Sequence, residues 1–524
     1  MKKILSLGLL VMGVLVLSAC VKHVPPSPDP TPPSLIEVTE LPDAFEFAIT
    51  SIRSLLPRNI NGDFVLPKVE GLVINYRMDN QVFDELFIYH SPFYDQEKIL
   101  MARISNEEVY YDHAFSVFVL ANGSASNLNQ IYINLPGGAD AVQREIYQNA
   151  EMTFFQTKND NEYIELYDQA VEIRGRGNST WFSYPKQPYR IRFSEETSIY
   201  GMPQARNYVL LAEYADKSLL RNTIVHQFSS KLKHMDHVIQ TRMVELYIND
   251  QYHGVYTLSE HVESHENKLY IDVNYDRLDA GFFLELDQRI FDLDIPEQLW
   301  WFNLTGRAYE IKRPDPDNLK YTQGHTDYIS SYFYEIQQAL IAQSGYEDLI
   351  DVDNFLDYFV TQELFKNVDV GFSSVFMYKQ QSQPVKMGPL WDFDFAIGNA
   401  DYIDYGPDNF YGFASNKNYW FHLMMQIPEL RVKFVERYND VYYDIIPELL
   451  LMIDQFGEAM APAAARNFER WDILSQYIWP NPAEMLAAQT YQGQVDYVKS
   501  YIAQRSLWLF VTLNSQAFLD GEYN

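Results

Sequence analysis

Apolar and polar positions alternate along this chain in several distinct ways. Over residues 36–150 they alternate singly in short runs, at 71–77, 85–89, 115–120 and 130–134, with turn residues such as Asn122-Gly123 and Pro136-Gly137-Gly138 between them. Successive side chains of a strand point to opposite faces, so this pattern predicts strands with one buried face. Several such strands at this spacing predict an all-β sandwich, immunoglobulin-like, over residues 35–150. Further strands are expected at 162–167, 169–174, 187–193 and 281–287, and 243–248 turns through Asn249-Asp250 into 254–258 as a hairpin. From Asp216 to about 234, from 321 to 343 and from 353 to 367, apolar residues recur every three or four positions and predict helices. Asp216 is the candidate N-cap of the first. Beyond Asn399 the period is mostly helical, over 420–456, 457–470 and 495–513. The pair Met424-Met425 lies in that apolar stripe and reads as core packing.

The first 34 residues follow none of these patterns. Lys2 and Lys3 precede an apolar run at 4–16, and Leu17-Ser18-Ala19-Cys20 follows. This predicts a secretory signal peptide, residues 1–19. The run is shorter than the ~18–20 apolar residues a membrane span needs. Cys20 is the single cysteine, which rules out a disulfide within the chain. Its position after small residues looks like a bacterial lipobox. Cys20 is then expected to carry the lipid of a lipoprotein anchored at the extracytoplasmic face of the cell membrane. Six prolines between Pro25 and Pro33 make residues 20–34 a stiff spacer.

Composition narrows the choice of function. Hydrophobic residues make up 47 % of the chain and aromatics 15 %, which describes a globular protein with a large aromatic core. The net charge of −31 argues against a nucleic-acid partner, because neutralising phosphates needs a basic face. One basic cluster, Arg174 to Arg192, stands out against that background.

In that cluster two predicted strands flank Gly175-Arg176-Gly177-Asn178-Ser179-Thr180-Trp181. Glycine lets backbone amides approach an anion closely, although most such loops are only turns. Alternation puts Tyr189, Ile191 and Phe193 on one face of the second strand and Arg190 and Arg192 on the other. Lys186 has similar reach, and the set suits a polyphosphate. Downstream, residues 364–399 hold Asp369 in a turn, two β-like runs, and then Trp391-Asp392-Phe393-Asp394. Acids on either side of a hairpin can place a base and a metal ligand about one phosphate. Paired carboxylates also occur in glycan hydrolases. Arg221 and Asn222 are open to a functional or a structural reading.

Taken together, these motifs resemble the CotH kinase family, named for spore coat protein H, over about residues 150–512. The matching pieces are Arg174 to Thr180 with Lys186, Tyr189 and Arg190; Asp216-Lys217 with Leu220-Arg221-Asn222; Glu245 to Asn249 with Tyr252 and Gly254-Val255-Tyr256; Gly281 to Asp287; Asn367-Val368-Asp369; and Gly388 to Asp394 with Gly398-Asn399. Arg466-Asn467, Arg470-Trp471 and Ile502 to Leu509 continue the match. The resemblance implies an α+β fold: an atypical protein-kinase-like two-lobed domain over 151–513, with an N-lobe about 151–290, a C-lobe about 291–513, and a tail at 514–524. It implies a kinase that transfers the γ-phosphate of ATP to Ser or Thr of a protein, using Mg2+ or Mn2+. On that basis Asp369 takes the catalytic-loop role and Asp392 the main metal role, with Asp394 and Asn399 as further metal candidates. Arg176, Gly177, Asn178, Ser179, Lys186, Arg190 and Arg192 are the nucleotide-holding candidates. One position departs from the kinase pattern: Ser374 stands where a metal-binding Asn is expected, five residues after Asp369. An exported protein also meets little ATP. The alternative is a non-catalytic, pseudokinase-like lipoprotein with a binding or structural role in the cell envelope.

Overall fold

The computed structural model describes residues 36–38, 41–57, 59–60, 64–78, 81–83, 85–87, 96–106, 108–119, 128–158, 163–414 and 416–522. The expected signal peptide, Cys20 and the expected proline-rich spacer lie outside the described residues. The chain divides into two units, the first ending at Gly123.

Among the described residues the first unit is built on one large sheet, not on the two large sheets of the expected sandwich. Strands Val109–Val119, Gln96–Ser105, Val73–Met78 and Gln81–Phe83 form one antiparallel sheet, extended by Ile36–Glu37 and Asn59–Ile60 along Val109–Val119. A helix, Asp43–Leu55, packs on it, beside a two-stranded sheet of Phe64–Val65 and Leu86–Phe87. Phe45, Ala48 and Ile52 recur at helical spacing and meet Tyr76, Leu100, Ala102, Ile104 and Phe115 in one core.

The second unit begins earlier than residue 151. Strand Asn129–Asn134, expected in the N-terminal domain, closes a seven-stranded barrel by pairing parallel to Thr241–Ile248 and antiparallel to Gln148–Lys158. Tyr163–Gly175, Tyr189–Thr197, Ala205–Leu211 and Gln251–Glu260 complete it. Tyr189, Ile191 and Phe193 fill the barrel interior, as their alternation predicts, which turns Arg190 and Arg192 outward. The hairpin turn holds Asn249 and Asp250 at φ 46° and 64°, the conformation that tight hairpins require.

Behind the barrel lies a five-stranded antiparallel sheet in the order Trp301–Leu304, Arg307–Arg313, Phe282–Leu286, Val375–Lys379, Lys386–Met387. Phe282–Leu286 sits at its centre, although the expected lobe boundary near 290 puts it with the preceding strands. One face of this sheet packs through Phe282, Leu284, Val375 and Met377 on helices that include Gln323–Ala342 and Val352–Leu364. The other face meets the outside of the barrel: Phe283 and Phe376 join Val209 and Leu211 in a separate apolar seam.

The C-terminal helices run Tyr419–Gln426, Pro428–Asp440, Ile446–Arg470 and Tyr491–Leu513. The first break falls at Ile427-Pro428, where proline opens a new helix. Gly457 does not break the chain. It lies inside Ile446–Arg470, where an added Cβ would come within 2.8 Å of Val495, so its lack of a side chain lets two helices approach closely. Met424 and Met425 are core residues. The expected tail contains a short helix, Gln516–Leu519, whose Phe518 is buried in the same core.

Candidate active site

Phe283, Phe376 and Trp391 belong both to the seam and to the wall of a cleft of about 1000 Å3. Its lining is chemically divided. Arg176, Arg190, Lys312 and Arg313 contribute cations, and Asp369, Asp392 and Asp394 contribute carboxylates.

The basic wall is built by the barrel and the sheet. Gly177 adopts φ +81°, a conformation that glycine takes without a steric cost. Arg144 fastens the loop there, donating from Nε to the Gly177 carbonyl at 2.7 Å and from its terminal nitrogen to Asn178 Oδ1. Arg176 lies over the Trp391 ring, 5.7 Å from its centre. Arg190 donates to Asn207 Oδ1 at 3.2 Å, while its buried Nε has no partner. Neither arginine makes an ion pair among the described residues. Lys312 differs, since Glu285 and Glu310 hold it at 2.9 and 2.7 Å. His261 lines the same region; burial, then the charges of Arg190, Lys268, Arg176 and Lys312, hold its pKa well below the usual value and leave the ring neutral.

The acidic wall is positioned by its own local bonds. Asp369 follows helix Val352–Leu364 in a tight turn, with its amide on Asn367 Oδ1 at 3.1 Å and its carbonyl accepting from Phe372 N at 3.0 Å. Asp392 takes φ +66°, which is strained for a residue with a side chain. The strain is held by neighbours. Ser374 Oγ donates to Asp392 Oδ2 at 3.1 Å, and the Phe393 amide donates to Asn222 Oδ1 at 2.9 Å. Asn222 is itself anchored on Glu213 at 3.1 Å. Arg221, paired with Asp216, donates to the carbonyls of Ala396 and Ile397 at 3.0 and 3.2 Å. Arg221 and Asn222 are therefore the fastenings of the 392–397 loop. Asp216 caps the Arg221–Ser229 helix by accepting from the Arg221 amide at 2.8 Å, five residues along rather than from the N-cap position.

Crowding perturbs these acids. Burial, then the charge of Asp392, pushes Asp369 up to about 8, with Arg289 opposing. Burial and then Asp392 hold Asp394 well above the usual carboxylate range. Such mutual repulsion is relieved by a cation, and an all-oxygen donor set suits a hard one such as Mg2+ or Mn2+. Among the described residues no group of three or more His, Cys, Asp or Glu is arranged to hold a metal alone. Mg2+ usually takes one or two carboxylates and completes its shell with water and substrate phosphates. Asp392 and Asp394 fit that requirement.

Of the residues singled out in the sequence, Arg176, Gly177, Asn178, Ser179, Arg190, Asp369, Asp392 and Asp394 share the cleft. Three others do not line it. Lys186 is buried, and its ammonium is committed to the Val255 carbonyl at 2.5 Å and Asn467 Oδ1 at 3.0 Å, where helix Ile446–Arg470 docks on the barrel. Arg192 is paired with Glu172 at 2.7 Å. Asn399 is fully buried: it donates to the carbonyls of Ala215 and Asp394 and accepts from Asn481, so its amide braces Asp394 from behind. Ser374 supports Asp392 rather than leaving a gap beside it. Lys312, Arg289, His261 and Lys417 line the cleft unannounced by any motif. Alternation along Arg307–Arg313 sets Lys312 opposite Tyr309 and Ile311, but only the sheet order shows which face meets the cleft.

A family model described as CotH kinase protein matches residues 173–509, well over half of the chain. The protein belongs to the CotH kinase family and is kinase-like. The match starts inside strand Tyr163–Gly175, so the first barrel strands and the whole N-terminal unit lie outside it. No curated protein matches the chain.

Proposed function

We propose that this protein transfers the γ-phosphoryl group of ATP to a Ser or Thr hydroxyl of another protein, and that Cys20 anchors it by lipid at the outer face of the cell membrane. The observation that carries the enzymatic reading is the divided cleft. Arg176 and Arg190 make no ion pair among the described residues and face carboxylates that repel one another. A polyphosphate with a divalent cation complements both walls at once.

Phosphoryl transfer depends mainly on positioning and charge neutralisation. Arg176, Arg190 and the loop amides around Gly177 hold the phosphates. Asp392 and Asp394 would hold the divalent metal, which would supply positive charge to the phosphates. Asp369 orients the acceptor hydroxyl and takes its proton when ionised, and the burial that raises its pKa makes that ionised form a stronger base than an exposed carboxylate. The hydroxyl oxygen bonds to the γ-phosphorus, the bond from that phosphorus to the bridging oxygen breaks, and ADP leaves with the electron pair.

With the full chain, γ-labelled ATP and Mg2+ or Mn2+ should label a protein on Ser or Thr. The label should disappear in Asp369→Asn while the melting temperature is kept. A wild type that neither gains thermal stability from ATP with metal nor labels any protein overturns the enzymatic reading. Lipid attachment is checked separately by labelled fatty-acid incorporation, which Cys20→Ala should abolish.

A further inference from the structure

Lys417 lines the cleft on the side of Asp369, yet the roles assigned above do not use it. Its backbone is fixed to the turn that carries Asp369. Arg307 spans the two segments, donating to the Lys417 carbonyl at 2.6 Å and to the Gly371 carbonyl at 3.2 Å. A Cβ on Gly371 would fall 2.2 Å from the Lys417 carbonyl oxygen, so the two backbones touch. The next residue, Asn418, donates to the Val370 carbonyl at 2.8 Å. Two loops distant in sequence thus behave as one wall.

From that wall the lysine side chain reaches the Tyr411 ring, 4.4 Å from ammonium to ring centre. Tyr411 is held in turn through its amide on Glu363 at 2.8 Å, and its hydroxyl feels the charge of Asp369. Lys417 makes no ion pair among the described residues, although acids outnumber bases 71 to 40 in the chain. Burial lowers its pKa, with no carboxylate to oppose the shift. An ammonium docked on an aromatic face without a carboxylate partner among the described residues is open to an entering anion, which would favour its charged form.

We propose that Lys417 is a catalytic residue of the phosphoryl transfer, and this rests on the function proposed above: its ammonium meets the phosphoryl oxygens while that group is between ATP and the acceptor hydroxyl. Arg176 and Arg190 stand on the donor's wall and hold what stays with ADP. Lys417 stands on the wall of the base, where the group arrives; Arg289 lines the cleft there too, but it is paired with Asp287 at 2.7 Å. An interaction made chiefly in the transition state lowers kcat more than it weakens donor binding.

The test compares Lys417→Met and Lys417→Arg with the wild type in the full chain. Label transfer is measured from γ-labelled ATP to whatever protein the wild type labels, itself included, and ADP·Mg2+ affinity is measured by calorimetry. Lys417→Met should lose about 100- to 1000-fold in transfer, the cost of removing one preorganised donor. ADP·Mg2+ affinity should stay within about threefold, and Lys417→Arg should recover part of the rate because it restores the charge. Transfer by Lys417→Met within about threefold of wild type overturns the inference. So does a parallel loss of ADP·Mg2+ affinity, which would make Lys417 a holder of the donor. A wild type that labels nothing overturns the function and the inference together, whereas an active wild type with an equally active Lys417→Met overturns the inference alone.

Discussion

Two sets of carboxylates in this chain, one fully buried and one half-buried in the cleft, are treated in opposite ways. Asp216 and Glu363 are 0 % and 1 % exposed, and their oxygens are engaged. Asp216 accepts from the amides of Ser218 and Arg221 and pairs with the Arg221 guanidinium. Glu363 accepts from the amides of Tyr411 and Gly412 at 2.8 and 2.6 Å and pairs with Arg505 at 2.6 Å. In the cleft, by contrast, the side-chain oxygens of Asp369 and Asp394 accept no hydrogen bond among the described residues, and the charge of Asp392 raises the pKa of both. A buried charge is tolerable when it is paired and hydrogen-bonded. The first set meets that condition inside the protein and serves as scaffold. The second set is left short, and its deficit is what a metal and a phosphate would fill.

The largest effect expected from this contrast is on binding. Asp392→Asn should abolish metal-dependent nucleotide binding in calorimetry while melting at or above the wild-type temperature, because it removes repulsion. A large loss of stability would mean that Asp392 belongs with the scaffold. Glu363→Gln should do the reverse, costing about 3–5 kcal/mol in urea unfolding by leaving Arg505 buried without its charge partner. Ser374→Ala should lower metal affinity by about tenfold, since it removes only the hydroxyl that orients Asp392. A separate effect is expected on pH dependence. Folding raises the pKa of Asp369 from 3.8 to about 8, so the folded chain binds this proton more tightly than the unfolded one. Metal-free stability attributable to this group is full below about pH 4 and is lost as pH rises toward 8. Urea titrations should show that decline reduced in Asp369→Asn, and a metal-free profile unchanged by the substitution would break the account.

Local pattern made part of this legible from the sequence. Strand alternation placed Tyr189, Ile191 and Phe193 inside and Arg190 outside, and helical spacing placed Met424 and Met425 in the core. These follow from periodicity, which neighbours in the chain determine. The helix Asp43–Leu55 had the same kind of signal in Phe45, Ala48 and Ile52, hidden among strand-like runs. Other features depend on distant partners. Lys186 precedes a basic strand, but its fate is decided by Asn467, 281 positions later. Asn129–Asn134 reads like the strands before it, and only pairing with Thr241–Ile248 assigns it to the barrel. Lys417 sits in a segment with no motif and reaches the cleft because Arg307 and Gly371 fix its backbone there.

The contact at Gly371 bears on how this site can change over generations. Every substitution there adds a Cβ, and the Cβ would lie 2.2 Å from a backbone oxygen, which no rotamer choice can avoid. Loops around it can drift, lengthen or exchange side chains. At position 371 no graded series of variants exists through which selection could tune the turn that bears Asp369. The loop therefore offers two evolutionary outcomes, retention as it stands or loss of its register altogether.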